Sequence, residues 1–358
     1  MDSRTSPLAR YLLGAYALLV VYASLHPFHG WRDQGVGPFD FLNAPLIPRY
    51  YTGFDLIINA LAYLPFGALI VLALYPRARG LWASLLALCG AATLSFMLEA
   101  TQTFLPARIP SSLDWLLNCV GAALGAGFGV ALARTVVMQG KLRRWRDDLF
   151  VPGKHTDVGL VLLAGWLLSQ LNPETLLFGN GDLRELFEST PKLLYPAAMF
   201  VRVEAIVTAA QIIALALLVS LYLNDRGPRR RIFLILLLSG CIVRTLAFAL
   251  LFKVQAGLDW LTPGAAIGLI VGTLAAMGAL ALSRRASVAL CGTLLMAATA
   301  LVNLAPDNPY LLSSLQEWRQ GHFLNFNGFT KLVSVVWPFA VMGHLLVLPR
   351  LARTRHTD

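Results

Sequence analysis

Apolar residues along this chain gather into blocks separated by short polar or basic stretches. The blocks run to roughly 16–25 residues, and about 20 apolar residues in a helix span the hydrocarbon core of a bilayer. Read block by block, the pattern predicts ten spans, near 10–27, 54–75, 81–103, 113–135, 157–172, 196–223, 232–252, 260–282, 286–304 and 329–349. The fifth is short, and the sixth opens in a Pro-containing stretch that carries Arg202 and Glu204. Alternating amphipathic segments, the signature of an outer-membrane barrel, are absent. The expected fold class is an all-α polytopic membrane protein with about ten transmembrane helices.

Composition agrees. Of 358 residues, 57% are hydrophobic and 13% are charged, against about 25% charged in a soluble domain. The net charge of +10 would suggest nucleic acid in a soluble protein. Here it has a simpler source, because cytoplasmic loops of membrane proteins collect Lys and Arg. Arg4 and Arg10, Arg77 and Arg79, the run Lys141, Arg143, Arg144 and Arg146, the cluster Arg229, Arg230 and Arg231, and the pair Arg284 and Arg285 all fall between alternate spans. That asymmetry predicts cytoplasmic termini and an even number of spans. Membrane lipids are the expected partners and nucleic acid is not. Cys89, Cys119, Cys241 and Cys291 lie inside apolar blocks without CxxC spacing, so they read as core residues rather than metal ligands or disulfides. The first block lacks a small-residue cleavage site and reads as an anchored helix rather than a signal peptide.

Within so apolar a chain, one group of polar residues stands out. Asp55 and Asn59 open the second block, Glu99 and Gln102 close the third, Arg108 sits in the link, and Asp114 and Asn118 open the fourth. Ionisable groups beside membrane segments are costly and usually face protein or an aqueous cavity. Spacings of three and four place each pair on one helix face. Asp114, Asn118, Gly121 and Gly125 form a stripe with two polar groups at its mouth and two packing glycines deeper. The charge asymmetry puts this rim, and the long loops near 28–53, 173–195 and 305–328, on the non-cytoplasmic side. A scaffold reading stays open beside the functional one, with Asp55 and Asp114 as helix caps and Arg108 paired to Glu99. His26 and His29 lie at the same rim and read as interfacial, with no metal site expected.

Internal repetition is the second organising pattern. Leu113-Asp114-Trp115-Leu116 recurs as Leu258-Asp259-Trp260-Leu261, and Leu25-His26-Pro27 resembles Leu171-Asn172-Pro173. These matches predict a degenerate repeat of four, four and two helices, with the complete polar set only in the first copy. Arg244, deep in the seventh block, needs a partner at that depth, and Glu204, Gln211 and Asp259 are the candidates. Trp115, Trp260, Trp318 and Trp337, with Tyr50 and Tyr51, read as an aromatic belt.

The order Asp55-x3-Asn59, Pro65-Phe66-Gly67, Glu99-x2-Gln102, Pro106-Ala107-Arg108 and Ser112-x-Asp114-x3-Asn118-x2-Gly121-x3-Gly125 resembles the VanZ-like membrane family over about residues 11–135. The resemblance implies a protein of the bacterial cell envelope, in the inner (plasma) membrane. It implies no particular reaction.

The expected organisation is a four-helix unit at 1–140, a basic linker at 141–156 and a second transmembrane region at 157–358. The favoured function is binding or processing of a lipid-linked, glycan-related or headgroup ligand at the outer leaflet. Glu99, Asp114 and Asp55 are the candidate catalytic groups, and Asn59, Gln102, Arg108 and Asn118 the candidate binding groups. Gly67, Gly121 and Gly125 are assigned to helix packing, and no cofactor is called for. A transporter working through Arg244 and the repeat interface, or a scaffold for envelope enzymes, are the other classes. No Walker loop, dinucleotide fingerprint, GxSxG or HExxH motif is present.

Overall fold

A computed structural model of the chain describes residues 7–26, 28–46, 53–134, 146–184, 197–224, 227–252, 254–304 and 324–354. Among the described residues ten α-helices of sixteen residues or more carry the fold: α1 Pro7–Leu25, α2 Gly53–Leu74, α3 Gly80–Gln102, α4 Ser112–Leu132, α5 Lys154–Ser169, α6 Ala197–Tyr222, α7 Arg229–Leu251, α8 Pro263–Ala279, α9 Arg284–Leu304 and α10 Leu324–Thr354. Each coincides with one expected span. Eight of them are long and apolar enough to cross a membrane, so the protein is a multi-pass membrane protein.

The two short helices, α5 with 16 residues and α8 with 17, have local causes. At the end of α5, Ser169 Oγ and Gln170 Nε2 both donate to the Trp166 carbonyl, at 2.7 and 2.9 Å. Side chains that take a helix carbonyl compete with the next backbone turn, and the following Asn172-Pro173 cannot continue it. At the start of α8, Thr262 caps the helix by accepting from the Ala265 N–H, and Pro263 follows it.

The helices divide into two compact units, residues 1–147 and 148–358. In the first, α2 and α4 form the central seam. A Cβ built on Gly125 would stand 1.9 Å from the Leu64 carbonyl oxygen, and one on Gly121 would stand 2.0 Å from that of Ala60. Only residues without side chains permit backbones to approach so closely. Gly67 faces back across the same seam onto Ala122. Around it, Val20 of α1, Tyr63 and Phe66 of α2, and Ala91 and Leu98 of α3 pack with Ala122 into one buried cluster. The Tyr16 hydroxyl pins α1 to α2 by donating to the Ala62 carbonyl at 2.8 Å.

In the second unit α6 is the central helix. Gly264, Gly268 and Gly272 of α8 lie against its backbone and side chains from Val201 to Ile212, and Cys291 of α9 contacts the Ala214 carbonyl. Trp337 of α10 donates to the Leu162 carbonyl of α5 at 2.7 Å. The tryptophans therefore depart from the expected belt. Trp260 and Trp337 are buried, and Trp115 donates to the Ala92 carbonyl of α3 at 3.1 Å. Trp318, Tyr50 and Tyr51 lie outside the described residues.

A second departure concerns the expected outer loop near 173–195. Its described part is irregular in backbone, and Thr175 through Gly181 are all buried within the second unit. Arg244 explains how. Nη1 donates to the Asn172 carbonyl and to Thr175 Oγ1 (3.3 Å), and Nη2 to the carbonyls of Pro173 (3.5 Å) and Thr175. The partner of Arg244 is thus the irregular backbone itself, with Glu204 close enough to interact by charge. Non-helical carbonyls inside a membrane bundle must find donors, and a buried guanidinium supplies several in a fixed fork.

Candidate functional site

At one end of the first unit, α1 and α3 finish and α2 and α4 begin. Polar residues of α3, of α4 and of the link between them meet there. Glu99, in the last turn of α3, is 4% exposed. Its Oε2 accepts a hydrogen bond from the Ser111 backbone N–H at 2.9 Å. Ser111 is the N-cap of α4, and its Oγ accepts from the Asp114 N–H at 3.4 Å. Asp114 lies close enough to Glu99 for their charges to interact. One turn deeper, Asn118 Nδ2 donates to Ser95 Oγ at 2.9 Å. The Tyr63 hydroxyl of α2 stands beside Ser95.

The base of this recess is tied to α1. Gln102 Nε2 donates to the Ser24 carbonyl at 2.9 Å. Arg108 Nη2 donates to the Ala23 carbonyl at 3.1 Å and to the His26 carbonyl. Arg108 therefore caps the end of α1, where orphan carbonyls and the negative helix pole both favour a cation. Burial lowers its pKa to about 10, with the Glu99 carboxylate pulling the other way, so the group stays charged at neutral pH. The direct pairing of Arg108 with Glu99 weighed in the sequence gives way to this backbone cap.

The remaining candidates are placed as follows. Asn59 is half-buried on α2, next to the Ala60 that meets Gly121. Asp55 stands on the opening turn of α2, and its side chain lies outside the described residues. His29 is exposed. Among the described residues no three His, Cys, Asp or Glu side chains come together to hold a metal ion. Asn118 Oδ1, Thr103 Oγ1 and Arg108 Nε are buried without a hydrogen-bond partner among the described residues. Buried polar atoms are otherwise almost always paired, so these three mark the recess as a place with bonding capacity left over.

The 28–46 segment lies over the same end. The Arg32 N–H donates to the Phe104 carbonyl at 3.0 Å, and Gln34 Nε2 to the Thr103 carbonyl at 2.7 Å. Phe41 is buried against Phe96. Around this mouth Trp31, Val36, Leu42 and Ile109 are exposed, Ile109 to 88%.

Three members of the site were missed in the sequence. Ser95 is four residues before Glu99, and Tyr63 four after Asn59, so extending each face by one turn finds both. Ser111, three before Asp114, carries the N-cap signature.

Residues 7–133 match the VanZ/LLP1 family model, a span that contains all four helices of the first unit. That unit is VanZ-like. No curated protein and no solved structure matches the chain.

Proposed function

We propose that the VanZ-like unit binds the polar head of a lipid or lipid-linked glycan at the outer leaflet of a bacterial plasma membrane. One observation carries this reading: the buried Glu99 carboxyl group, held by the Ser111 N–H, lies next to Asp114 at the end of the unit where apolar side chains of the 28–46 segment and Ile109 of the α3–α4 link are exposed. The recess is rich in acceptors. Glu99 and Asn118 offer oxygens, whereas two of the donor bonds of Arg108 go to the end of α1. Such a set favours a head that donates, through hydroxyl or ammonium groups, over a bare phosphate. The exposed apolar side chains then cover the acyl or isoprenoid part. If turnover accompanies binding, Glu99 is the side chain to hold or move a proton, with Asp114 beside it and Asp55 a further candidate.

The reading includes cytoplasmic termini, from the distribution of basic residues, and a second unit that is a diverged copy of the first. In both units the second and fourth helices meet through glycines four residues apart, Gly121 and Gly125 in one and Gly264, Gly268 and Gly272 in the other. That shared seam supports the repeat.

The test uses the full chain in nanodiscs and native mass spectrometry. Phosphatidylethanolamine or a glycosyl diacylglycerol should be retained in preference to phosphatidic acid, which offers a donor only through its phosphate. Glu99→Gln keeps the shape and replaces the carboxyl group with an amide, and should weaken retention about tenfold, or ~1.4 kcal/mol. Equal retention of phosphatidic acid, or an unaffected Glu99→Gln variant with intact thermal unfolding, overturns the reading.

A further inference from the structure

We propose that the second unit holds a small uncharged hydrogen-bonding molecule halfway along its helices, beside Gln211 and one turn of α6 from where Thr208 bonds the 170–184 segment, and passes that molecule across the membrane. The inference rests on residues outside the VanZ-like unit and is independent of the function proposed for it.

Depth comes first. The Leu177 carbonyl accepts from Thr208 Oγ1 of α6 at 3.2 Å. Thr208 lies roughly 16 Å along α6 from its first residue, at about 1.5 Å per residue. On the other side of the segment, Gly240 of α7 packs against the rings of Trp166 and Phe178. It stands roughly 16 Å from the end of α7 by the same rise. The segment therefore reaches the middle of a bundle whose helices match a bilayer in length. Irregular backbone is found at that depth only where protein or a polar cavity surrounds it. Interrupted helices are also where membrane proteins place mid-depth binding sites.

The second observation is an unpaired side chain. Gln211 is 1% exposed, and neither its Nε2 nor its Oε1 has a hydrogen-bond partner among the described residues. It lies three residues beyond Thr208 on α6, hence on the same face and one turn past the segment. Thr299 Oγ1, Asn180 Nδ2 and Gln170 Oε1 are further buried polar atoms of this unit with the same lack of partners. Thr299 packs against Gly181 of the segment. The set mixes donors and acceptors and carries no charge.

The charges nearby are already engaged: in the segment Arg184 pairs with Asp182 at 2.6 Å and Glu174 is not without a partner. Arg244 is bound to the segment's carbonyls. Glu204 accepts from the Thr262 hydroxyl, and the two interact with each other. An ion would meet no uncompensated charge here. A neutral molecule able both to give and to accept hydrogen bonds, whether water or a small hydroxyl or amide solute, meets what Gln211 offers. Gln211 also sits near the midpoint of α6, similarly far from both aqueous sides.

The full chain reconstituted in liposomes tests this by stopped-flow light scattering with sucrose, glycerol and urea gradients. Shrinkage in sucrose reports water, and the other two report entry of solute. At least one probe should cross severalfold faster than in empty liposomes. A rise for water alone assigns the site to water, and a rise for glycerol or urea assigns it to a solute. Gln211→Leu and the longer, unbranched Gln211→Met should each return the rate to that of empty liposomes, with thermal unfolding unchanged or lowered. Rates no faster than empty liposomes overturn the proposal, as do variants that conduct like the native chain. So does a clear rise in unfolding temperature for either variant, because apolar replacement of a dry, unpaired amide stabilises.

Discussion

Arg244 stands to Asn172 as Arg108 stands to His26: in each unit a guanidinium donates to the carbonyl of a residue that precedes proline after the unit's first helix. The two carbonyls occupy matching places in the repeated Leu-His-Pro and Leu-Asn-Pro motifs. Arg108 reaches its carbonyl from the link between α3 and α4, and Arg244 from within α7. The device is common to both units while the residue that supplies it has moved.

The two arginines differ in burial, and their removal should differ accordingly. Arg244 is 1% exposed, and Arg244→Met leaves several buried carbonyls without donors, for a loss of about 3 kcal/mol or more. Arg108 is half-buried, so Arg108→Met should lose about 1–2 kcal/mol. Arg244→Lys should not restore stability, because an ammonium cannot reproduce the planar fork. Thermal unfolding of the detergent-solubilised chain reads all three. A smaller shift for Arg244→Met than for Arg108→Met contradicts the assignment.

The α2–α4 seam makes a sharp contrast between neighbouring glycines. A Cβ at Gly125 would stand 1.9 Å from the Leu64 carbonyl oxygen, whereas one at Gly127 meets nothing within 4 Å. Gly125→Ala should therefore part the helices and abolish folded yield. Gly127→Ala should be neutral, or raise stability by up to about 1 kcal/mol through helix propensity. Size-exclusion profiles of the two variants decide.

Gln102 ties the end of α3 to α1 through the Ser24 carbonyl. Gln102→Ala should cost about 1 kcal/mol and loosen that end. Hydrogen–deuterium exchange should rise at 22–46 and stay unchanged in α4. Uniform exchange across the unit would place the tether elsewhere.

Sidedness is open to direct labelling. Ile109 and Arg77 are both exposed, at opposite ends of the first unit's helices. With the four native cysteines replaced, Ile109→Cys should react in intact cells with a membrane-impermeant maleimide. Arg77→Cys should react only after permeabilisation. The reverse pattern places the recess in the cytoplasm and removes the outer-leaflet reading.

Much of this was legible in the chain. Ten apolar blocks gave ten helices, since a membrane segment declares itself by length and composition alone. Glu99, Asp114 and Asn118 could be gathered because intervals of three and four are a helix's own geometry. The partners of Arg108 and Arg244 were not legible, because backbone carbonyls leave no mark in a sequence. The buried 170–184 segment was hidden for a related reason. Its Asn, Pro and Gly residues have the composition of a surface turn, and only the guanidinium buried beside it reveals otherwise.

Gly121 and Gly125 leave no slack between α2 and α4. Two helices in backbone contact cannot slide, tilt or part to admit a guest, so this half of the recess is a fixed wall. The other side is joined differently, since α1 and the 28–46 segment are held through hydrogen bonds of Gln102, Gln34 and Arg108. One side of the first unit is thus set by backbone contact and the other by side-chain hydrogen bonds.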